Sequence, residues 1–185
     1  MKAREKILQS SFELFRKKGF LETGIAEILE NAGAYKKTLY DHFKSKDEIG
    51  FEYLRFISKQ QQEMMFKFFE KSNSASEFID KWIRFSLREQ RNFDRLDCPI
   101  ALFSGEVSHL EQFRLHSKAA ISIVLDTIEI FVNKNRPDLE KVEQRELSQE
   151  LYMLYLGGLK LFSLSRDKKV IEQMKAKMKL CLMEA

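Results

Sequence analysis

Lys36, Lys37 and Thr38 stand side by side, and Tyr40, His42 and Lys46 follow within the next eight residues. Ammonium groups, hydroxyls and an imidazole gathered this densely are donors that outnumber the acids around them. That is the chemistry of a surface meeting phosphate oxygens or the acceptor-rich edge of a base. A lysine here can donate to guanine O6 and N7 or to a phosphate, and residue type leaves both open. The rest of the chain offers less. His109 and His116 are seven residues apart and would share a face if one helix carried both, with Glu106 or Glu111 as a further metal ligand; the plainer reading is a pair of surface histidines. Cys98, before Pro99, and Cys181 lack Cys-x-x-Cys spacing, which argues against a disulfide framework or a structural zinc site. A redox-switching thiol at Cys98 is the alternative to a buried neutral one. The sequence holds no Gly-x-Ser-x-Gly, phosphate-binding glycine loop or dinucleotide fingerprint. The expectation is therefore no enzyme and no cofactor, with a helical enzyme or a metal or redox sensor built on His109, His116 or Cys98 as the rival.

Short helices must position the cationic cluster. Ile7, Leu8, Ser11, Phe12 and Phe15 recur at helical spacing and Lys17-Lys18-Gly19 supplies a stop, which predicts a first helix over about 3–18. Thr23 is the expected N-cap of a second helix carrying Ile25, Ile28, Leu29 and Ala32, ended by Gly33. The pattern resumes with Tyr35, Leu39 and Phe43, a third helix over about 35–43 whose Leu39 and Phe43 face the core. So short a connection forces a steep crossing, the signature of a helix-turn-helix. Ser45-Lys46-Asp47-Glu48 reads as a capping box opening a long helix to about Lys71. Further helices are expected over about 78–92 and 100–107, then along the stripe Ile121, Val124, Leu125, Ile128, Phe131 and Val132, and finally over about 139–165 and 168–182.

Composition agrees with an all-α chain. Of 185 residues 44% are apolar and 16 are Phe, against seven Gly and two Pro, which suits long uninterrupted helices. The expected fold class is an N-terminal three-helix helix-turn-helix unit over 1–46 and a larger helical domain over 47–185, about nine helices in all. Charge divides along the same line. Residues 1–46 hold ten Lys or Arg against six acids, and the remainder balances at 22 against 22. A basic head on a neutral body points to a polyanionic partner for the head. The longest apolar stretch, Leu151 to Leu164, is too short to span a bilayer and holds Lys160, and the first residues are charged, so a cytoplasmic chain with no membrane partner is expected.

Thr23 to Ile49, with the preceding Lys-Lys-Gly-Phe, the Ala32-Gly33 turn, Thr38-Leu39-Tyr40, His42-Phe43 and Ser45-Lys46, resembles the DNA-binding motif of the TetR family of transcriptional regulators. The resemblance implies a repressor that binds a palindromic operator as a homodimer and is released by a small hydrophobic effector. It implies phosphate contacts from Tyr40, His42 and Lys46, and a Thr23 that both caps the second helix and touches the backbone. By position, Lys36, Lys37 and Thr38 lead the recognition helix toward the bases. The sequence departs from the family pattern at Tyr35, where Ser or Thr is usual, at Lys37, where Gly is usual, and at Leu29, where a small residue is usual. The expected DNA set is thus Thr23, Tyr35, Lys36, Lys37, Thr38, Tyr40, His42 and Lys46.

For the body, the resemblance implies a ligand pocket among the middle helices and dimerisation through the last two. Aromatic and sulfur-bearing residues on stripes with few charges suit an apolar ligand, and the candidates are Trp82, Phe85, Cys98, Phe103, Leu125, Tyr152 and Tyr155. The segment 151–162 is apolar on nearly every side, so it should bury two faces, one of them against its twin. Leu154, Gly157, Gly158, Leu161, Met174, Met178 and Cys181 are the interface candidates.

Overall fold

The computed structural model describes residues 2–91 and 97–183. Nine helices and no strands occur among them: α1 Ala3–Lys18, α2 Ile25–Ala32, α3 Lys36–His42, α4 Lys46–Glu70, α5 Ala75–Arg91, α6 Pro99–Glu106, α7 Glu111–Asn135, α8 Lys141–Ser165 and α9 Lys168–Met183. The all-α expectation holds. The predicted end of the fifth helix at Asn92 lies outside the described residues.

The chain forms two compact units, Met1–Ile57 with Pro99–Ala120, and Ser58–Cys98 with Ile121–Ala185. The first takes in more chain than 1–46: the start of α4, all of α6 and the start of α7 belong to it. A cluster of rings explains why. Phe15, Phe20, Tyr53, Phe103 and Phe113 are each at most 3% exposed. Phe103 reaches Phe15, Phe20, Tyr53 and Phe113 with centroids 5.2–6.2 Å apart, so α6 completes a core that α1 and the head of α4 cannot close alone. Ile7, Ile28, Leu39 and Ile49 are fully buried around it.

In the second unit Phe78 of α5 stacks on Phe131 of α7 at 4.0 Å, and Trp82, Ile128, Leu151, Tyr155 and Leu159 extend the buried layer. Helix α9 is pinned to α5 by Lys175 and Lys179, whose ammonium groups reach the two carboxylate oxygens of Asp80 at 2.5 and 2.7 Å. Gln144 ties the α7–α8 connection by donating to Asn133 Oδ1, Arg136 O and Leu139 O at 3.0–3.3 Å. Among the described residues no helix is long and apolar enough to cross a membrane.

Candidate nucleic-acid interface and candidate ligand cluster

Helices α2 and α3 are joined by Gly33, Ala34 and Tyr35. Gly33 adopts the left-handed conformation, φ 58° and ψ 42°, which a glycine enters without the Cβ penalty other residues meet. Its N–H and that of Ala34 close on Glu30 O and Leu29 O at 3.2 and 3.0 Å, so the last turn of α2 keeps its carbonyls satisfied. Leu39 and Phe43 are 0% and 1% exposed. With that face of α3 committed to the core, its other faces point outward: Tyr35, Lys36, Lys37, Tyr40 and His42 are all exposed and Thr38 is half-buried. Tyr35 is the extreme case, an aromatic residue 84% exposed at the N-cap position of α3, with no side-chain cap bond.

Two members of the expected set are placed differently. Thr23 does not cap α2; the N-cap is Gly24, and no side chain caps that end. Thr23 is 1% exposed and its hydroxyl donates to Gly19 O at 2.6 Å, so it is committed to the α1–α2 turn and presents no surface. Lys46 is half-buried, with its ammonium donating to Phe20 O and Thr23 O, both at 3.1 Å, and standing 4.4 Å from the centre of the Phe20 ring. Burial pulls its pKa below the ordinary lysine value, against the opposing pull of Asp47. Two of its three protons thus serve the fold. The capping box at α4 is also modified: Ser45 Oγ accepts the Glu48 N–H at 3.4 Å, but the Glu48 carboxylate takes the N–H of Lys44 at 2.7 Å, one residue earlier than expected.

The ligand candidates separate. Trp82, Cys98, Tyr152 and Tyr155 meet in the second unit, all at most 4% exposed. Trp82 and Tyr155 stack at 4.6 Å, Tyr155 and Tyr152 at 6.1 Å, and the Tyr152 hydroxyl lies 3.8 Å from Cys98 Sγ. Sequence reasoning missed Ser86, whose hydroxyl lies 3.0 Å from both Tyr155 Oη and Trp82 O. It also missed the ion pair of Asp97 with Lys160 at 3.3 Å; the signal was a lysine inside an otherwise apolar stretch. Burial first, and the neighbouring Cys98 second, push both phenols well above the ordinary tyrosine pKa. Phe103 does not join them; it belongs to the ring cluster of the first unit, where α6 needs it. Phe85 is half-buried beside Phe68 at 5.4 Å, and Leu125 is half-buried. A separate shallow apolar depression, too tight to admit a water molecule, is lined by Met65, Phe66, Phe69, Phe78, Thr127, Ile130 and Phe131.

Of the interface candidates, Met174 and Met178 are 5% and 0% exposed and pack inside the protomer. Met174 packs directly on Gly158, so the missing Cβ there serves the α8–α9 approach within one chain. Gly157 and Leu161 remain exposed, Leu154 and Cys181 half-buried. His109 lies in the turn between α6 and α7, so the continuous helix its spacing with His116 required is absent. His116 instead stacks on Phe51 at 3.9 Å, and among the described residues no group of three potential metal ligands assembles.

Residues 7–52 match the family described as bacterial regulatory proteins, tetR family. The chain is 26% identical over 112 residues to the uncharacterized HTH-type transcriptional regulator YxaF of Bacillus subtilis (strain 168), covering 60% of this chain and 59% of that one. It is 27% identical over 108 residues to the HTH-type transcriptional regulator LmrA of the same organism, covering 57% of each. The chain thus spans about three fifths of the length of these relatives. Among solved structures it is similar to a TetR transcriptional regulator from Legionella pneumophila, TM-score 0.81 at 18% identity over 97% of both chains. It also resembles a TerR/AcrR-family regulator from Aquifex aeolicus VF5, TM-score 0.65 at 25% identity over 97% of this chain and 99% of that one. Residues 7–52 thus match the tetR family of bacterial regulatory proteins, and the fold follows that of a solved TetR regulator over nearly the full length of the chain.

Proposed function

We propose that the chain is a DNA-binding transcriptional repressor that grips a palindromic operator as a homodimer and lets go when a small hydrophobic effector binds. The observation that carries this reading is the division of α3: Leu39 is buried while Lys36, Lys37, Tyr40 and His42 are exposed on a seven-residue helix that follows a glycine turn. Lys36, Lys37 and Thr38 lead into the major groove; Tyr35, Tyr40, His42 and the third proton of Lys46 hold phosphates. Lys37 brings a charge where the family usually has none, which favours guanine O6 and N7 at one step of each half-site.

Dimerisation is supported by an unpartnered apolar face. Met153, Gly157, Leu161 and Leu164 recur along one side of α8, and Leu180 and Met183 along α9; all six are exposed. So continuous an apolar face at a protein surface marks an association site, and a second copy of the chain supplies the matching stripe. The effector reading is supported by the aromatic and sulfur-bearing make-up of the Trp82–Tyr155–Tyr152–Cys98 cluster, which suits an apolar molecule once the rings, packed on one another here, part to admit it. Helix α4 contributes residues to both compact units. An effector that prefers one spacing of the two α3 helices lowers DNA affinity by the same factor that DNA lowers its own.

The test is a mobility shift on the DNA flanking the gene, at two salt concentrations, with the Lys36→Ala/Tyr40→Ala double variant as control. Specific retardation by the wild type and its loss in the variant support the proposal; equal binding by both, or none by either, removes it.

A further inference from the structure

The α1–α2 turn, residues 19–24, is held from two sides, and only one of the two side chains lies within the helix-turn-helix sequence pattern. Lys46 binds the carbonyls of Phe20 and Thr23. Opposite it, Glu106, the last residue of α6, accepts the Phe20 N–H on Oε2 at 2.7 Å across 86 residues of sequence. The turn is shaped to receive this carboxylate. Gly19 has φ 101°, and a Cβ there would stand 2.5 Å from Glu106 Oε1 and 2.8 Å from Cδ. Both polar groups of Phe20 are therefore engaged by charged side chains, while its ring is buried between Phe15, Phe103 and Phe113 at 5.1–5.2 Å. Thr23 completes the turn, its N–H on Phe20 O at 3.2 Å and its hydroxyl on Gly19 O at 2.6 Å.

Packed rings alone tolerate small slides, whereas charge-assisted hydrogen bonds to a part-buried peptide fix one arrangement. Helix α2 starts at Ile25, immediately after this turn, and only Gly33, Ala34 and Tyr35 separate it from α3. Whatever fixes Phe20 fixes where the recognition helix stands within the first unit.

We propose that Glu106 is a positioning residue for DNA recognition: by accepting the Phe20 N–H, the end of α6 sets the placement of α2 and α3 and with it specific operator affinity. This rests on the DNA-binding reading above. It assigns to α6 a polar hold on the DNA head, through a side chain outside the recognition motif.

Full-length Glu106→Ala and Glu106→Gln variants test it, with backbone amide exchange at Phe20 read beside the affinities for operator and for random-sequence DNA. The glutamine oxygen still accepts the N–H, so E106Q keeps slow exchange and operator affinity within about twofold. E106A exchanges faster at Phe20 and through α2 and α3, and loses about tenfold in operator affinity, while random-sequence binding stays put because Lys36 and Lys37 are untouched. If E106A loses its helical circular dichroism, Glu106→Asp, one methylene short of the Phe20 N–H, replaces it with the same expectations. Wild-type exchange and affinity in the shortened variants overturn the proposal. So does a loss in E106Q as large as in E106A, since the bond would then not be what matters. A wild-type chain that binds no specific DNA defeats the DNA-binding reading instead, and is recognised because slow exchange at Phe20 in the wild type persists alongside it.

Discussion

Trp82 and Tyr155 lie face to face with ring centroids 4.6 Å apart and planes 26° from parallel, and the Tyr155 hydroxyl, 3.0 Å from Ser86 Oγ, continues into the Trp82 carbonyl, which Ser86 Oγ reaches at 3.0 Å. Ser86 has one proton, so if it donates to the carbonyl, Tyr155 donates to Ser86. The stack contributes by ring packing and the chain by a satisfied buried hydroxyl. Tyr155→Phe therefore costs about 1 kcal/mol, and Tyr155→Ala about 3–5 kcal/mol because a ring-sized cavity remains. Thermal or denaturant unfolding checks both, and Trp82, the only tryptophan in the chain, reports the site by fluorescence. Equal losses in the two variants would show that the ring carries nothing.

The same burial predicts a pH response. Desolvation and the neighbouring Cys98 raise the pKa of Tyr152 and of Tyr155 above the unfolded value, which is about 10. A group whose native pKa is raised stabilises the fold fully below the unfolded value and loses that contribution as pH climbs toward the native one. Of the five tyrosines, Tyr152 and Tyr155 therefore ionise only as the second unit unfolds. Tyrosinate absorbance followed beside circular dichroism checks this; all five ionising with helicity intact contradicts it.

Asp80 gives the opposite sign. Partial burial raises its carboxyl, but hydrogen bonds and charge from Lys175 and Lys179 outweigh that and hold it below the ordinary value. Its contribution is present above the unfolded pKa of about 4 and fades as pH falls through the lower native value. All three side chains are about a quarter to a third exposed, so Asp80→Asn costs only about 1 kcal/mol at neutral pH. The deficit should shrink toward zero on acidification. A deficit that stays constant down to pH about 2 would assign the loss to something other than the charge.

Gly50 sits in the interior of α4, where alanine ordinarily gains about 1 kcal/mol in helix propensity. Here an added Cβ would stand 2.9 Å from both Phe113 Cε1 and Phe20 Cε2, and overpacking of that kind costs about 1–3 kcal/mol. The steric effect wins, so Gly50→Ala lowers the melting temperature. A rise would mean that the ring cluster yields freely.

Periodicity and punctuation made the helices legible. The Ile7–Phe15 spacing and Gly19 bound α1 at 3–18 as observed, and Gly33 marked a turn that needed a left-handed residue. The exposed face of α3 was legible because Leu39 and Phe43 share the buried side, leaving the lysines no other direction. Local pattern said nothing about partners distant in sequence. Thr23 has the residue type of a cap, yet its hydroxyl closes the preceding turn. Met174 and Met178 read as interface residues but are buried within the chain, Met174 against Gly158 of α8. Phe103 read as ligand lining because nothing local reveals that α6 joins the N-terminal core, and Glu106 entered only as a possible metal ligand although its carboxylate holds Phe20.

Selection of bound sequences from a random double-stranded DNA pool by the full-length chain tests the central claim most directly. Reading by the α3 helices of a dimer predicts enrichment of two copies of one short motif, related by two-fold symmetry and centred about one helical turn, 10–10.5 base pairs, or a multiple of it apart. Enrichment should vanish with Lys36→Ala/Lys37→Ala. No enrichment, a single unpaired motif, or enrichment that survives the loss of both lysines would contradict the account.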